Sequence, residues 1–346
     1  MKDRRIAFAV AVVLGLIFIT GAAVKLAQPG ADMTAAAKTF LTSLNDDQRK
    51  TATMTYDDPQ RVKWHFIPKA SRKGAQVKDM NKDQRKAAFA LMRAALSKTG
   101  YDKAVIVMEL ESILHELQKG RRGPIRDAER YYFTVFGAPA ADSKWGLSIE
   151  GHHLSLNFVV DKNKVVSHTP AFYGANPGLV KSDVKVGPKK GTQVLKDEEI
   201  LAFKLLGSLN AAQRKVAILA PKAPRDLRGA GKAQPPTDAP AGLAASKMTK
   251  EQVAMLRALI NSYAVNMPKP IADARLAEIE KAGIDKVHFA WASADKPWVG
   301  HYYRGEGPTF QIELCNTQPD GAGNPANHVH AMWRDTRGDF GIPVSK

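Results

Sequence analysis

The stretch FLTSLNDDQRKTA at residues 40–52 returns as LLGSLNAAQRKVA at 205–217, with the core SLNxxQRKxA intact. A chain that repeats itself at so long an interval has few folds open to it, because solenoid repeats recur every 20–50 residues or so. Two copies of one supersecondary unit remain. A second match lies further on, MNKDQRKAAFALMRAAL from Met80 against MTKEQVAMLRALI from Met248. Each opens with a helix cap followed three residues later by a glutamine, Asn81 with Gln84 and Thr249 with Gln252, the signature of a capping box. Val253, Leu256, Ile260 and Tyr263 then fall on one buried helical face. A third helix is expected in each copy, at about 102–119 and 270–282.

Beyond those helices the apolar period changes from helical to two. Strands are expected at 131–137, 145–151, 152–160 and 164–170, and again at 286–292, 300–307, 309–315 and 327–333. Glu150-Gly151 aligns with Glu306-Gly307, which puts the strands of the copies in register. The expected fold is α+β, a tandem duplication of a three-helix plus four-stranded antiparallel unit. Its parts are an N-terminal segment at 1–27, a first repeat at 34–170, a connector at 171–194 and a second repeat at 195–341. GANPG at 174–178 reads as a turn. The Pro-, Gly- and Ala-rich stretch 222–247 reads as a surface excursion, whereas its counterpart RVKWHFIPKASRKG alternates aromatic residues and is more structured in character.

The N-terminus carries a separate signal. MKDRR precedes an uncharged apolar run from Ile6 to Val24, which as a helix at about 1.5 Å per residue nearly crosses a bilayer core. Lys2, Arg4 and Arg5 keep that end cytoplasmic and direct the body outward, to a periplasmic or extracellular location. The run fits a cleaved signal peptide or an uncleaved anchor in the cytoplasmic membrane. The formal charge is +17, and +14 without residues 1–27. The lysines are scattered over all the helices rather than gathered in a stripe with aromatic residues, so nucleic acid is not an expected partner. Contact with anionic envelope polymer or lipid is the simpler use of such a surface. Cys315 is the single cysteine, so no disulfide staples the body, and a half-buried strand thiol is usually inert.

The chemistry-bearing residues gather near the C-terminus. In NPANHVHAMWRD, His328 and His330 share one face of a strand, since residues two apart do. His301 and Tyr303 alternate on an earlier strand, and Glu313 stands on the polar face of the strand between. Neighbouring strands lie about 4.8 Å apart, so His301, Glu313, His328 and His330 are expected to converge if their polar faces coincide. Three imidazoles and a carboxylate form a ligand set for Zn, Mn, Fe or Cu. His153 heads the matching polar row of the first copy, with Ser155 and Asn157, and is a further candidate ligand. Tyr303, Arg334 and Asp335 are candidate catalytic groups, with a plain salt bridge as the alternative for the last two. His152 falls with the apolar face and reads as a packed core residue; His65, His115, His168 and His288 are isolated. No P-loop, GxGxxG, GxSxG, HExxH or paired CxxC is present.

WGLSIEGHHLSLNF, TPAFYGANP, HYYRGEGPTFQIE and NTQPDGAGNPANHVHAMWRDTRGDFG together resemble the domain-of-unknown-function 3500 family over about residues 35–341. The resemblance implies that His152, His153, His328, His330, Arg334 and Asp335 occupy family motif positions, and it supplies no fold, substrate or role for them. PDGAG, between NTQ and NPANH, is a departure where a shorter connection is expected. Two functions stay open. One is an exported divalent-metal enzyme, hydrolytic or oxidative, acting on a small-molecule or envelope ligand. The other is a non-catalytic protein that holds anionic envelope polymer or lipid on its basic surface.

Overall fold

The computed structural model describes residues 28–345 apart from Arg121, and the apolar run at 6–24 lies outside them. Among the described residues no helix is long and apolar enough to cross a membrane. The chain runs α1 (Pro29–Ser43), α2 (Asp46–Ala52), β1 (Thr53–Met54), β2 (Ala75–Gln76), α3 (Lys82–Ala95), α4 (Lys98–Leu117), then β3 (Tyr132–Phe136), β4 (Lys144–Gly151), β5 (Leu154–Asp161), β6 (Lys164–Ser167) and β7 (Ala171–Ala175). It continues with α5 (Lys196–Ser208), α6 (Ala211–Ala217), β8 (Ile218–Ala220), β9 (Leu243–Ala244), α7 (Lys250–Ala264), α8 (Lys269–Gly283), then β10 (His288–Ser293), β11 (His301–Gly307), β12 (Phe310–Gln318) and β13 (His328–Arg334). The fold is α+β, as expected.

Among the described residues the helices number four before each set of strands, not three. SLNxxQRK is not helix interior: the Asn45 and Asn210 side chains accept from the backbone N–H of Gln48 and Gln213, and the glutamines bond back to the cap. An asparagine in that role stops one helix and starts another, because its extended backbone leaves the helical path. Asn81 with Gln84 and Thr249 with Gln252 form the same capping box on α3 and α7.

All the strands join one sheet, whose long path is β1-β3-β4-β5-β7-β13-β12-β11-β10-β8. Its centre is the antiparallel pair β7 and β13, from Val329 opposite Ala175 to Trp333 opposite Ala171. The connector expected at 171–194 therefore begins with a central strand, and Gly174-Ala175 of the expected GANPG turn belong to it. The apolar face of each strand meets the helices: Leu147, Ile149, Leu154, Leu156, Ile312, Leu314 and Trp333 share a core with Phe40, Leu91, Ile113, Leu205, Leu256 and Leu259. The other face is buried as well. Trp64, Phe66 and Leu227 pack there on Phe172, Tyr302, Cys315 and Met332, and Trp64 Nε1 donates to Lys232 O at 2.8 Å. The stretch at 222–247 is thus no surface excursion over its first half: together with its aromatic counterpart it roofs the sheet. A sheet covered on both faces has no solvated polar row, so its polar side chains must find partners inside.

Candidate metal centre

Strand alternation sorts the residues of β13 first. Val329, Ala331 and Trp333 join the helix-side core, so His328, His330, Met332 and Arg334 point under the roof. The third imidazole arrives from the β4–β5 hairpin. His153 sits in that turn with φ 62, in the left-handed region that non-glycine residues seldom adopt. Its backbone N–H donates to Phe66 O at 2.9 Å, and its carbonyl accepts from Gly174 N at 2.7 Å. The side chain crosses β7 to reach β13, and Gly174 makes room for it: a Cβ there would lie 2.8 Å from His153 Cδ2.

Three ring nitrogens meet. His153 Nε2 lies 2.8 Å from His328 Nε2, which lies 3.1 Å from His330 Nε2. Two nitrogens tetrahedrally bound to one cation at about 2.1 Å each stand about 3.4 Å apart, so a small outward shift of each ring fits the trio to a cation. His153 and His330 are buried, and His328 is half-buried. Asp226 Oδ1 accepts from His330 Nδ1 at 2.8 Å, which leaves His330 Nε2 with its lone pair free toward the centre. Asn176 Nδ2 stands 3.3 Å from His328 Nδ1.

Burial governs the protonation of two of these rings. It holds His153 well below the ordinary imidazole range, with His152, His328 and His330 adding to the effect. His328 is pushed down to about 3 by burial and then by His330 and His152. Both rings are neutral at neutral pH, the form that ligates. Burial pushes the Asp226 carboxyl up, but the hydrogen bonds from the His330 ring and the Leu227 backbone help to hold it low. A second histidine cluster adjoins the first. The His152 ring stacks on His153 at 3.8 Å, its Nδ1 bonds Glu111 Oε1, and Arg126 Nη1 lies 3.0 Å from the same nitrogen. His152 is therefore a polar-bonded side chain at the end of α4, not an apolar core residue.

The expected four-residue set does not assemble. His301 pairs across the ladder with Asn316, and Arg304 with Glu313, so His301 and Tyr303 share the helix side while Glu313 faces the roof. Counting alternate residues within each strand leaves undetermined which faces coincide, and the register sets His301 on the other side. There the His301 ring stacks on Trp291 at 5.5 Å, with Nε2 3.1 Å from Glu199. Tyr303 is buried, its hydroxyl 2.6 Å from Tyr263 Oη and 2.9 Å from Glu198 O. Glu313 does share the roof side with His330, but its carboxylate is taken: Tyr302 Oη donates at 2.8 Å, Arg228 N at 3.0 Å, and Gln311 also bonds it. Burial raises its pKa, against the lowering by Arg228.

Arg334 and Asp335 do not pair with each other. Arg334 is fully buried, donates to Asp339 Oδ2 at 2.6 Å, and holds the roof through Gly229 O and Lys232 O at 3.1 and 2.7 Å. Asp335 lies on the other side with Arg275 at 2.9 Å and Arg337 at 2.8 Å. Both are structural ion pairs, remote from the trio in role. Of the expected ligands, then, His153, His328 and His330 come together. Asp226, Glu111 and Arg126 join them from segments that carry no local signature, and Asn176 from the GANPG stretch read only as a turn.

No curated relative and no solved structure matches the chain. A family model does: the one described as a protein of unknown function, DUF3500, matches residues 27–342, nearly the whole chain, and the chain belongs to that family.

Proposed function

We propose that the protein is an exported divalent-metal protein whose centre is His153, His328 and His330, and that it performs metal-assisted chemistry of a hydrolytic or oxidative kind. The observation that carries this reading is the convergence of three imidazole nitrogens, 2.8 and 3.1 Å apart in succession, with a carboxylate oriented behind one of them. Imidazoles in threes suit Zn, Cu or Fe, with Mn a poorer match to nitrogen. A cation held by three protein ligands keeps a position for water or substrate and acidifies what it binds there. His153, His328 and His330 would hold the cation, Asp226 fix the His330 ring, and Gly174 admit the His153 ring. The roof residues Trp64, Phe66 and Leu227, packed on Phe172 of the sheet, exclude water from one side, and Phe66 and Phe172 stack at 3.8 Å beside His330.

We also infer that the chain is a tandem duplicate. The four capping boxes recur in matched order, and Glu150 opposite Ser155 corresponds to Glu306 opposite Gln311. In that alignment Thr309 occupies the place of His153, so the imidazole centre has no counterpart there and lies at the seam of the two copies.

The test is metal analysis of full-length protein purified without a histidine tag. Near-stoichiometric metal is expected in the wild type, and its loss in His328→Ala and His330→Ala with far-UV circular dichroism unchanged. A wild type free of metal after incubation with Zn, Cu, Fe or Mn would refute the reading and favour the alternative, non-catalytic holding of anionic polymer or lipid on the basic surface.

A further inference from the structure

We infer that an oxyanion, a phosphate or carboxylate group, binds in a groove beside this centre, and that Arg126 is the residue that holds it. The inference rests on the imidazole-centre reading for its catalytic meaning and on separate observations for the anion. A groove of about 540 Å³ opens at the end of α4, lined by His115, Lys119, Arg122, Ile125 and Arg126. Lys78 lines it too, but Asp127 takes that charge at 2.7 Å. Among the described residues no carboxylate lies within ion-pair distance of Arg122 or Arg126. Asp127 lines the groove as well, and Glu116 lies 3.9 Å from Lys119, so Arg122 and Arg126 carry its unneutralised charge, and a groove with net positive charge concentrates anions.

Arg126 links the groove to the centre through His152. Gln118 Oε1 accepts from its Nε at 2.9 Å, and its Nη1 lies against His152 at 3.0 Å. The guanidinium is thereby fixed at two of its three nitrogens, while Nη2 makes no hydrogen bond to the described protein. His152 in turn stacks on His153, so the fixed arginine stands one side chain removed from the proposed ligands. A pre-oriented guanidinium with a free edge loses little rotamer freedom on binding an oxyanion, and its planar fork suits one. The carbonyls that end α4 repel anions, which makes the basic side chains here helix partners in any case. What that role leaves unexplained is a glutamine spent on aiming Arg126 at a histidine.

The experiment is calorimetric titration of the metal-loaded full-length chain with inorganic phosphate, with citrate and with glucose. Binding of phosphate, citrate or both is expected, and none of glucose; which anion binds separates a phosphoryl from a carboxylate ligand. Arg126→Gln should weaken it about tenfold or more, the usual worth of a hydrogen bond to a charged group, with metal content unchanged. Gln118→Leu, which frees the guanidinium without removing it, should weaken binding less and in the same direction, and serves if Arg126→Gln does not fold. Absence of anion binding in the wild type, or equal affinity in both variants, overturns the inference. Arg126-dependent binding by a protein that takes up no metal would instead sink the imidazole-centre reading and leave the anion site standing.

Discussion

Gly174 shows how much a single missing side chain contributes. It is paired with His330 in the ladder and lies under the His153 ring, so it touches two of the three proposed ligands. Gly174→Ala removes no ligand, yet its methyl must displace His153 by several tenths of an ångström. Metal affinity is expected to fall about tenfold or more, as misplacing a ligand or its support commonly does, with secondary structure intact. Equal affinity in a competitive chelator titration would show that His153 is not a ligand. His168, half-buried beside the sheet, offers a test of imidazole neutrality away from the trio. Its pKa is lowered from 6.5 to about 4 by burial and then by Arg275. Between those values the unfolded chain binds a proton that the folded chain refuses, so stability falls as pH falls from 6.5 toward 4. His168→Gln is expected to make that slope shallower by up to one proton, about 1.4 kcal/mol per pH unit. Urea unfolding at pH 4.5, 5.5 and 6.5 measures it, and superimposable slopes would mean that the ring charges freely in the folded state.

Among the elements, the capping glutamines do more than close their own helices. Gln84 Nε2 donates to Gln48 Oε1 at 2.7 Å and to Ser43 O at 3.1 Å; Gln252 Nε2 donates to Gln213 Oε1 at 2.9 Å and to Ser208 O at 2.8 Å. Each pair ties the start of a short helix to the start of a long one. Gln84 and Gln252 are both buried, so truncation leaves amide partners unsatisfied. Gln84→Ala and Gln252→Ala are each expected to cost about 1–3 kcal/mol. In a double-mutant cycle Gln252→Ala and Gln213→Ala should couple by about 0.5 kcal/mol or more, since they share a hydrogen bond. Additive costs would mean that the amides act independently.

For the whole molecule, the decisive contact is the seam. β7 and β13 pair at five positions, Ser97 N donates to Asn266 O at 3.0 Å, and Lys103 reaches Glu198. Cut apart, residues 28–194 and 195–345 would each expose a central strand as an edge with its apolar face uncovered, a state that favours aggregation. Full-length protein is expected to melt in one transition by circular dichroism and tryptophan fluorescence alike. Neither fragment should give a monomeric peak on gel filtration with a cooperative melt. A fragment that did so would show the halves to be independent domains.

The sequence by itself determined the local structure and the class. Asn81 and Thr249 begin helices because a cap is a contact within four residues, and Leu154, Leu156 and Ile312 face a core because period two needs no distant partner. Family membership was legible too, in EGHHLSLNF and ANHVHAMWRD. His328 and His330 stood out as neighbours on one face for the same local reason. Only the tertiary structure decided what they meet. The ladder that opposes His301 to Asn316 rather than to Glu313 is set by hairpin register, and a shift of one residue would send every side chain to the other face. Asp226, Glu111 and Arg126 reach the histidines from a roof loop, a helix and a connecting segment. Contacts of that sequence separation are fixed by how the sheet closes at β7 and β13 and by what the roof must cover, and no local pattern records either.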